Sequence, residues 1–158
     1  MKKKCSVILP GSYDPVTLGH VDLIRRAAEE YEEVYAVIFR NPEKEYFFPL
    51  SDRVRMLILA TEELDNVLVS YSDGYVVDYM RDHGIEKIIK GVRNQKDVEY
   101  EKPQAEYNLR FGGYETEFYK CREELSQISS TLAREKIRNG EDLDGILTKN
   151  VIDFLKKH

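Results

Sequence analysis

The densest group of residues able to handle a phosphorylated ligand is the run Gly11-Ser12-Tyr13-Asp14-Pro15-Val16-Thr17-Leu18-Gly19-His20. Gly11 permits close backbone approach, Ser12 brings a hydroxyl, and Thr17 suits the N-cap of a helix with His20 at its third position. A phosphate there would meet free backbone N–H groups, the positive end of the helix dipole and an imidazole donor together. The glycine spacing is not that of a dinucleotide-binding loop, and the Gly-Lys-Ser/Thr of a P-loop is missing. Further along come Lys90-Gly91-Val92-Arg93, the acidic Asp97-Val98-Glu99-Tyr100-Glu101, and Ser129-Ser130-Thr131. Taken singly, each has an ordinary reading: strand-end cations and acidic runs face solvent, and one serine before a helix is a cap.

What would gather these groups is a repeated strand–helix alternation. Cys5 to Leu9 reads as a buried strand stopped by Pro10-Gly11, followed by a helix with Ile24, Ala27, Ala28 and Tyr31 on one face. Val34 to Phe39 is the next strand. After a polar loop from Arg40 to Pro49, Ser51 is positioned to cap a helix with Val54, Leu57, Ile58 and Thr61 in one stripe. Val67 to Tyr71 reads as strand, Asp73 as a cap, Tyr75 to His83 as a helix closed by Gly84, and Lys87 to Lys90 as a fourth strand. Pro103 implies that a helix in the following polar segment starts or kinks there. Glu115 to Tyr119 alternates weakly, Ser129 or Ser130 caps a helix to about Asn139, and Thr148 caps a terminal one with Val151, Ile152 and Leu155 on one side. Such alternation predicts an α/β fold with a doubly wound parallel sheet, in a single domain over 1–158. Ligands of these sheets bind at the carboxyl ends of strands, after Leu9, Phe39, Tyr71 and Lys90.

Composition narrows the partners. The 158 residues suffice for one core, and 24 basic against 29 acidic residues give a net charge of −5. That argues against nucleic-acid and anionic-membrane partners. The two cysteines, Cys5 and Cys121, lie far apart and outside metal-ligand spacing. The N-terminal apolar run is too short for a signal-peptide core, so a cytoplasmic protein is expected.

Gly11 to His20 resembles the Gly-Ser/Thr-Phe/Tyr-Asp-Pro-x-Thr-x-Gly-His signature of the nucleotidylyltransferase superfamily, and Ile128-Ser129-Ser130-Thr131 resembles its second signature. In length and element order the chain is similar to the bacterial phosphopantetheine adenylyltransferase family. The resemblance implies a Rossmann-like fold and transfer of the adenylyl group of ATP to 4′-phosphopantetheine, with Mg2+, giving dephospho-coenzyme A and pyrophosphate. It also implies a homo-oligomer, a hexamer in the family, and coenzyme A as a feedback ligand.

By resemblance the catalytic groups are Ser12, His20, Lys44 and Arg93, and no protein metal ligands are expected. ATP would be held by Gly11, Ser12, Thr17, Gly19, His20, Arg93, Glu101, Ser129, Ser130 and Thr131. The acceptor would be held by Ser12, Lys44, Gly74, Tyr75, Lys90 and Asn108. Lys90 stands where the family has an arginine, which keeps the charge and loses the planar fork. Two alternatives stay open: a sister enzyme using CTP or another phosphorylated acceptor, and a non-catalytic binder of coenzyme A or nucleotides. Retention of Ser12, His20, Lys44 and Arg93 together argues against the latter.

Overall fold

The computed structural model describes residues 2–158. Five strands, β1 (Lys3–Gly11), β2 (Tyr31–Phe39), β3 (Val67–Ser72), β4 (Lys87–Val92) and β5 (Glu115–Lys120), form one sheet in the order β3-β2-β1-β4-β5, and every pairing is parallel. The helices are α1 (Leu18–Glu30), α2 (Leu50–Thr61), α3 (Val76–His83), α4 (Gln95–Gly112), α5 (Ser130–Arg138) and α6 (Lys149–Lys157), with a short 3-10 turn at Glu123–Leu125.

The central strands β1, β2 and β4 bury apolar residues on both faces, which is why alternation is weak in their sequences. In β1, Val7 and Leu9 join a core with Val34, Ala36 and Ile89 under α1, α2, α5 and α6, while Ile8 packs on the other side with Val37, Met80, Ile85 and Ile88 under α3. This is the doubly wound α/β sheet expected.

The chain leaves β1 toward β2 and β3, then returns to lay β4 on the other side of β1, so the topology reverses between β1 and β4. These two strands register only at Val7 with Lys87 and Ile8 with Ile88, although β1 runs on to Gly11 and β4 to Val92. Their carboxyl ends therefore part, and a crevice opens where this fold places ligands.

Several boundaries differ from the sequence expectation. Pro10 and Gly11 do not stop β1; they remain in register with Val37 and Ile38, because proline's missing N–H is tolerated at a strand's end. Tyr31 closes α1 as its C-cap, donating its backbone N–H to the Ala27 carbonyl, and at the same time opens β2. Ser51 does not cap α2, which starts behind Pro49 without a side-chain cap, and its buried face is Arg53, Met56, Leu57 and Thr61, leaving Ile58 exposed. Asp73 does not cap α3; it pairs with Arg40 at 2.8 Å. Helix α4 does not start at Pro103: Asn94 caps it by accepting from Asp97 N–H, and Pro103 lies in its interior.

Candidate functional site

Two adjoining cavities occupy the crevice. The first, of about 540 Å³, is walled by β1 and its following turn (Leu9 to Tyr13), by Thr17, Gly19 and His20 of the α1 start, by Ile89 to Gly91 and Arg93, and by Ser129 and Ser130. The second, of about 380 Å³, is walled by Asn41, Lys44 and Tyr46 of the loop after β2, by Ile88 of β4, by Gln104, Ala105 and Asn108 of α4, and by Thr116 of β5. Pro10, Gly11, Ser12, Lys90 and Glu101 line both. A ligand group beside Ser12 and Lys90 is thus within reach of two molecules, one in each cavity.

The turn after β1 is held from several sides. Tyr13 adopts a positive φ of 46°, an uncommon state for an aromatic residue, and its hydroxyl donates to the Leu9 carbonyl at 2.7 Å. A Cβ on Gly11 would stand 3.2 Å from the Tyr13 ring, so this close approach favours glycine. From α5, Ser130 Oγ donates to Pro15 O at 2.8 Å and Arg134 donates to Asp14 O at 2.8 Å. The second signature is therefore tied to the first by Ser130, and by Arg134 one turn further along α5.

His20 is locked into one neutral tautomer. Its backbone N–H donates to Thr17 Oγ1 at 3.4 Å, while its Nδ1 accepts the Thr17 backbone N–H at 3.0 Å, a reciprocal cap in which imidazole takes the usual role of glutamate. With the Nδ1 lone pair used, the ring proton sits on Nε2, which is left as a donor for a ligand. Burial, reinforced by the Lys90 ammonium, pushes its pKa down to about 4. Near neutral pH this side chain is a hydrogen-bond donor that carries no charge.

The cations here have acidic partners on α4. Arg93 donates from Nε to Asp97 Oδ2 at 3.0 Å, and its backbone N–H meets the same oxygen at 2.9 Å. The pair holds the Asp97 carboxyl below the usual range and the Arg93 guanidinium above its own. Lys90 stands 3.8 Å from Glu101. Asp97 and Glu101 are four residues apart and so share one helix face.

Of the sequence-predicted residues, Gly11, Ser12, Thr17, Gly19, His20, Lys90, Arg93, Glu101, Ser129 and Ser130 line the first cavity, and Ser12, Lys44, Lys90, Glu101 and Asn108 the second. The structure does not bring in three others. Thr131 is exposed and its hydroxyl accepts from Arg134; Gly74 and Tyr75 are exposed beside Val76, which does line the second cavity. Three contributors escaped sequence reading: buried Arg53, Asn94 as the cap that aims α4, and Thr116, whose buried Oγ1 has no hydrogen-bond partner among the described residues.

Residues 8–136 match the cytidylyltransferase-like family model. The chain is 40% identical over 151 residues to the phosphopantetheine adenylyltransferase of Corynebacterium efficiens, covering 95% of each protein. It is likewise 40% identical over 145 residues, 91% of each chain, to the phosphopantetheine adenylyltransferase of Corynebacterium glutamicum.

Proposed function

Because the chain belongs to the phosphopantetheine adenylyltransferase family, we propose that it transfers the adenylyl group of ATP to 4′-phosphopantetheine, yielding dephospho-coenzyme A and pyrophosphate in coenzyme A biosynthesis. The observation that carries this reading is the meeting of two cavities at Ser12 and Lys90, at the topological switch between β1 and β4. One phosphorylated substrate fits each side, with the reacting phosphorus between them.

An oxygen of the acceptor phosphate forms a bond to the α-phosphorus of ATP as the bond from that phosphorus to the bridging oxygen breaks, and pyrophosphate leaves with the electron pair. The acceptor oxygen is already anionic, so no general base is needed; the protein aligns the groups and stabilises the spreading negative charge. In this reading His20 donates from Nε2 to an α- or β-phosphate oxygen, and Ser12 donates to the reacting phosphates. Lys44 and Lys90 approach the acceptor phosphate, and Arg93 the nucleotide phosphates. Thr17, Gly11 and Gly19 shape the phosphate turn, Ser129 and Ser130 present the α5 N-terminus, and Glu101 meets the adenosine ribose. Asn108, with Gln104 beside it, offers polar groups to the pantetheine arm.

Among the described residues no group of three or more His, Cys, Asp or Glu is arranged to hold a metal. Asp97 and Glu101, the acids of the first cavity, are paired with Arg93 and Lys90. This donor set suits a magnesium ion that arrives on the ATP phosphates and keeps its waters, rather than one caged by protein. When bound, the ion neutralises phosphate charge.

The proposal extends to a cytoplasmic enzyme, a hexamer with coenzyme A as feedback ligand. Among the described residues no helix is long and apolar enough to cross a membrane. Exposed Leu68 and Tyr71 on the edge strand β3, and Tyr107, Leu109 and Phe111 on α4, offer apolar surface for self-association. The test of the reaction is pyrophosphate release with magnesium, using ATP or CTP, with and without 4′-phosphopantetheine. Release is expected only with ATP and the acceptor together. Release with CTP instead would identify a sister activity, and binding of coenzyme A without release from any pair would refute the enzyme.

A further inference from the structure

The loop between β2 and α2 carries Lys44, yet it has no regular structure to place that lysine. Its placement depends on a buried cation. Arg53, in the first turn of α2, is only 1% exposed. A guanidinium keeps its charge in the interior, so its burial is tolerable only when its donors are used. Its Nε donates to the Phe48 carbonyl at 3.0 Å, and a terminal nitrogen donates to the Ser12 carbonyl at 3.0 Å. Its carbon lies 4.0 Å from the centre of the Tyr46 ring.

The same segment is gripped from the other side by Asp14, which is 4% exposed and accepts the backbone N–H groups of Phe47 at 2.7 Å and Phe48 at 2.9 Å. The Phe48 main chain is therefore held at both ends, its N–H by Asp14 and its carbonyl by Arg53. Tyr46 extends the grip outward: its hydroxyl accepts the Asn41 N–H at 2.9 Å, and Lys44 Nζ lies 5.4 Å from its ring centre. A continuous chain of contacts thus runs from Ser12 through Arg53 and Tyr46 to Lys44. Both ends of that chain line the second cavity.

We infer that Arg53 is a positioning residue for the transfer: it holds the Ser12 carbonyl and the Tyr46 ring at fixed separation, so that Lys44 and the Ser12 hydroxyl address the same phosphate. Without ligand contact of its own, it acts only through these two residues. An apolar side chain of similar volume would fill the same space but would leave the Ser12 and Phe48 carbonyls unpaired and the loop free to drift. Because misplacement by 1 Å can cost about 100-fold, the effect falls on turnover more than on binding.

This inference rests on the adenylyl-transfer reading, and one experiment separates the two. Pyrophosphate release is measured for the wild-type protein, Arg53→Met, Lys44→Ala and the double variant, with thermal melts to verify folding. Arg53→Met is expected to lower kcat about 100-fold while KM for ATP changes less than about 3-fold, and to cost about 10-fold or less when Lys44 is already alanine, the remainder acting through Ser12. An inactive wild type would overturn the reaction. An active wild type in which the two costs simply multiply would overturn the positioning role alone. If Arg53→Met does not fold, the same cycle with Tyr46→Leu decides: coupling to Lys44 supports the chain of contacts, and independent losses refute it.

Discussion

Replacement of His20 by alanine tests the site most directly, because its two nitrogens do separable jobs. Nε2 is left to a ligand, whereas Nδ1 accepts the Thr17 backbone N–H at 3.0 Å. Losing one preorganised donor to a developing phosphate charge costs about 100- to 1,000-fold in kcat, equivalent to about 2.7–4 kcal/mol. Losing half of a reciprocal cap costs about 1 kcal/mol, partly offset by alanine's higher helix propensity, so Tm should fall by no more than about 2–4 °C near neutral pH. The stability cost also carries a pH signature. His20 has a folded pKa of about 4, below the ordinary histidine value of 6.5. Between those values the unfolded chain binds the proton and the folded one does not, so wild-type stability falls as pH drops from about 6.5 toward 4. Alanine lacks that penalty. The stability gap between wild type and variant should therefore shrink, then reverse, between about pH 7 and pH 5. Steady-state pyrophosphate release gives kcat, and denaturant melts across pH give the gap. A kcat loss under about 5-fold would refute the donor role assigned by analogy with oxyanion donors. A gap that widens in acid would refute the neutral buried imidazole.

Lys90→Arg should lower KM for 4′-phosphopantetheine by about 3- to 10-fold by restoring a planar two-pronged donor, with KM for ATP little changed; an unchanged acceptor KM would remove Lys90 from that subsite. Gly91→Ala places a Cβ 2.3 Å from Leu23 Cδ1, so overpacking of about 1–3 kcal/mol is expected, at about 2–4 °C of Tm per kcal/mol. That cost should diminish in a Leu23→Ala background, and simple additivity would show that the clash is not with Leu23. Thr116→Val removes a buried hydroxyl that has no partner among the described residues, so stability should hold or rise with acceptor KM unchanged. A loss of stability with unchanged KM would show that the hydroxyl serves the fold.

The sheet was legible because each apolar run is bounded by strong punctuation, and because a chain that alternates strand and helix with short loops has few topologies open to it. His20 at the third position of α1 and a cap at Ser129 or Ser130 for α5 followed from local rules, and the structure has His20 there and Ser129 as the cap. Two kinds of feature did not follow. The cap expected at Ser51 fails because α2 already starts behind Pro49, whereas Asp73 is lost to competition: it finds a bidentate arginine, with Arg40 Nε and a terminal nitrogen each at 2.8 Å, and that tertiary partner overrides a local one. Arg53 was invisible because an arginine early in a helix ordinarily faces water; only carbonyls contributed by positions 12 and 48 make its burial tolerable, and no local pattern encodes them. Pro103 misled for a related reason. Its cost to α4 is real, yet Asn94 and the pairing of Asp97 with Arg93 anchor the helix a full two turns earlier.

Asp97 and Glu101 also explain how a protein of net charge −5 holds two cations side by side in the crevice. Lys90 and Arg93 both come from the end of β4, and two unscreened cations so close together would repel each other and, in the case of Lys90, further disfavour a protonated His20. Helix α4 answers with Asp97 and Glu101 on one face, each against one cation. The pairing stabilises the site without ligand, but it leaves the exchange modest: Lys90 and Glu101 stand at 3.8 Å, too far for a strong hydrogen bond, and Arg93 is half exposed. In the proposed reaction an incoming phosphate would trade a weak internal pair for a charge-assisted bond, and the displaced carboxylate of Glu101 would be free to meet a ribose hydroxyl in the same cavity. The acidic run that reads as a solvated helix face is thus the counter-charge of the strand-end cations Lys90 and Arg93.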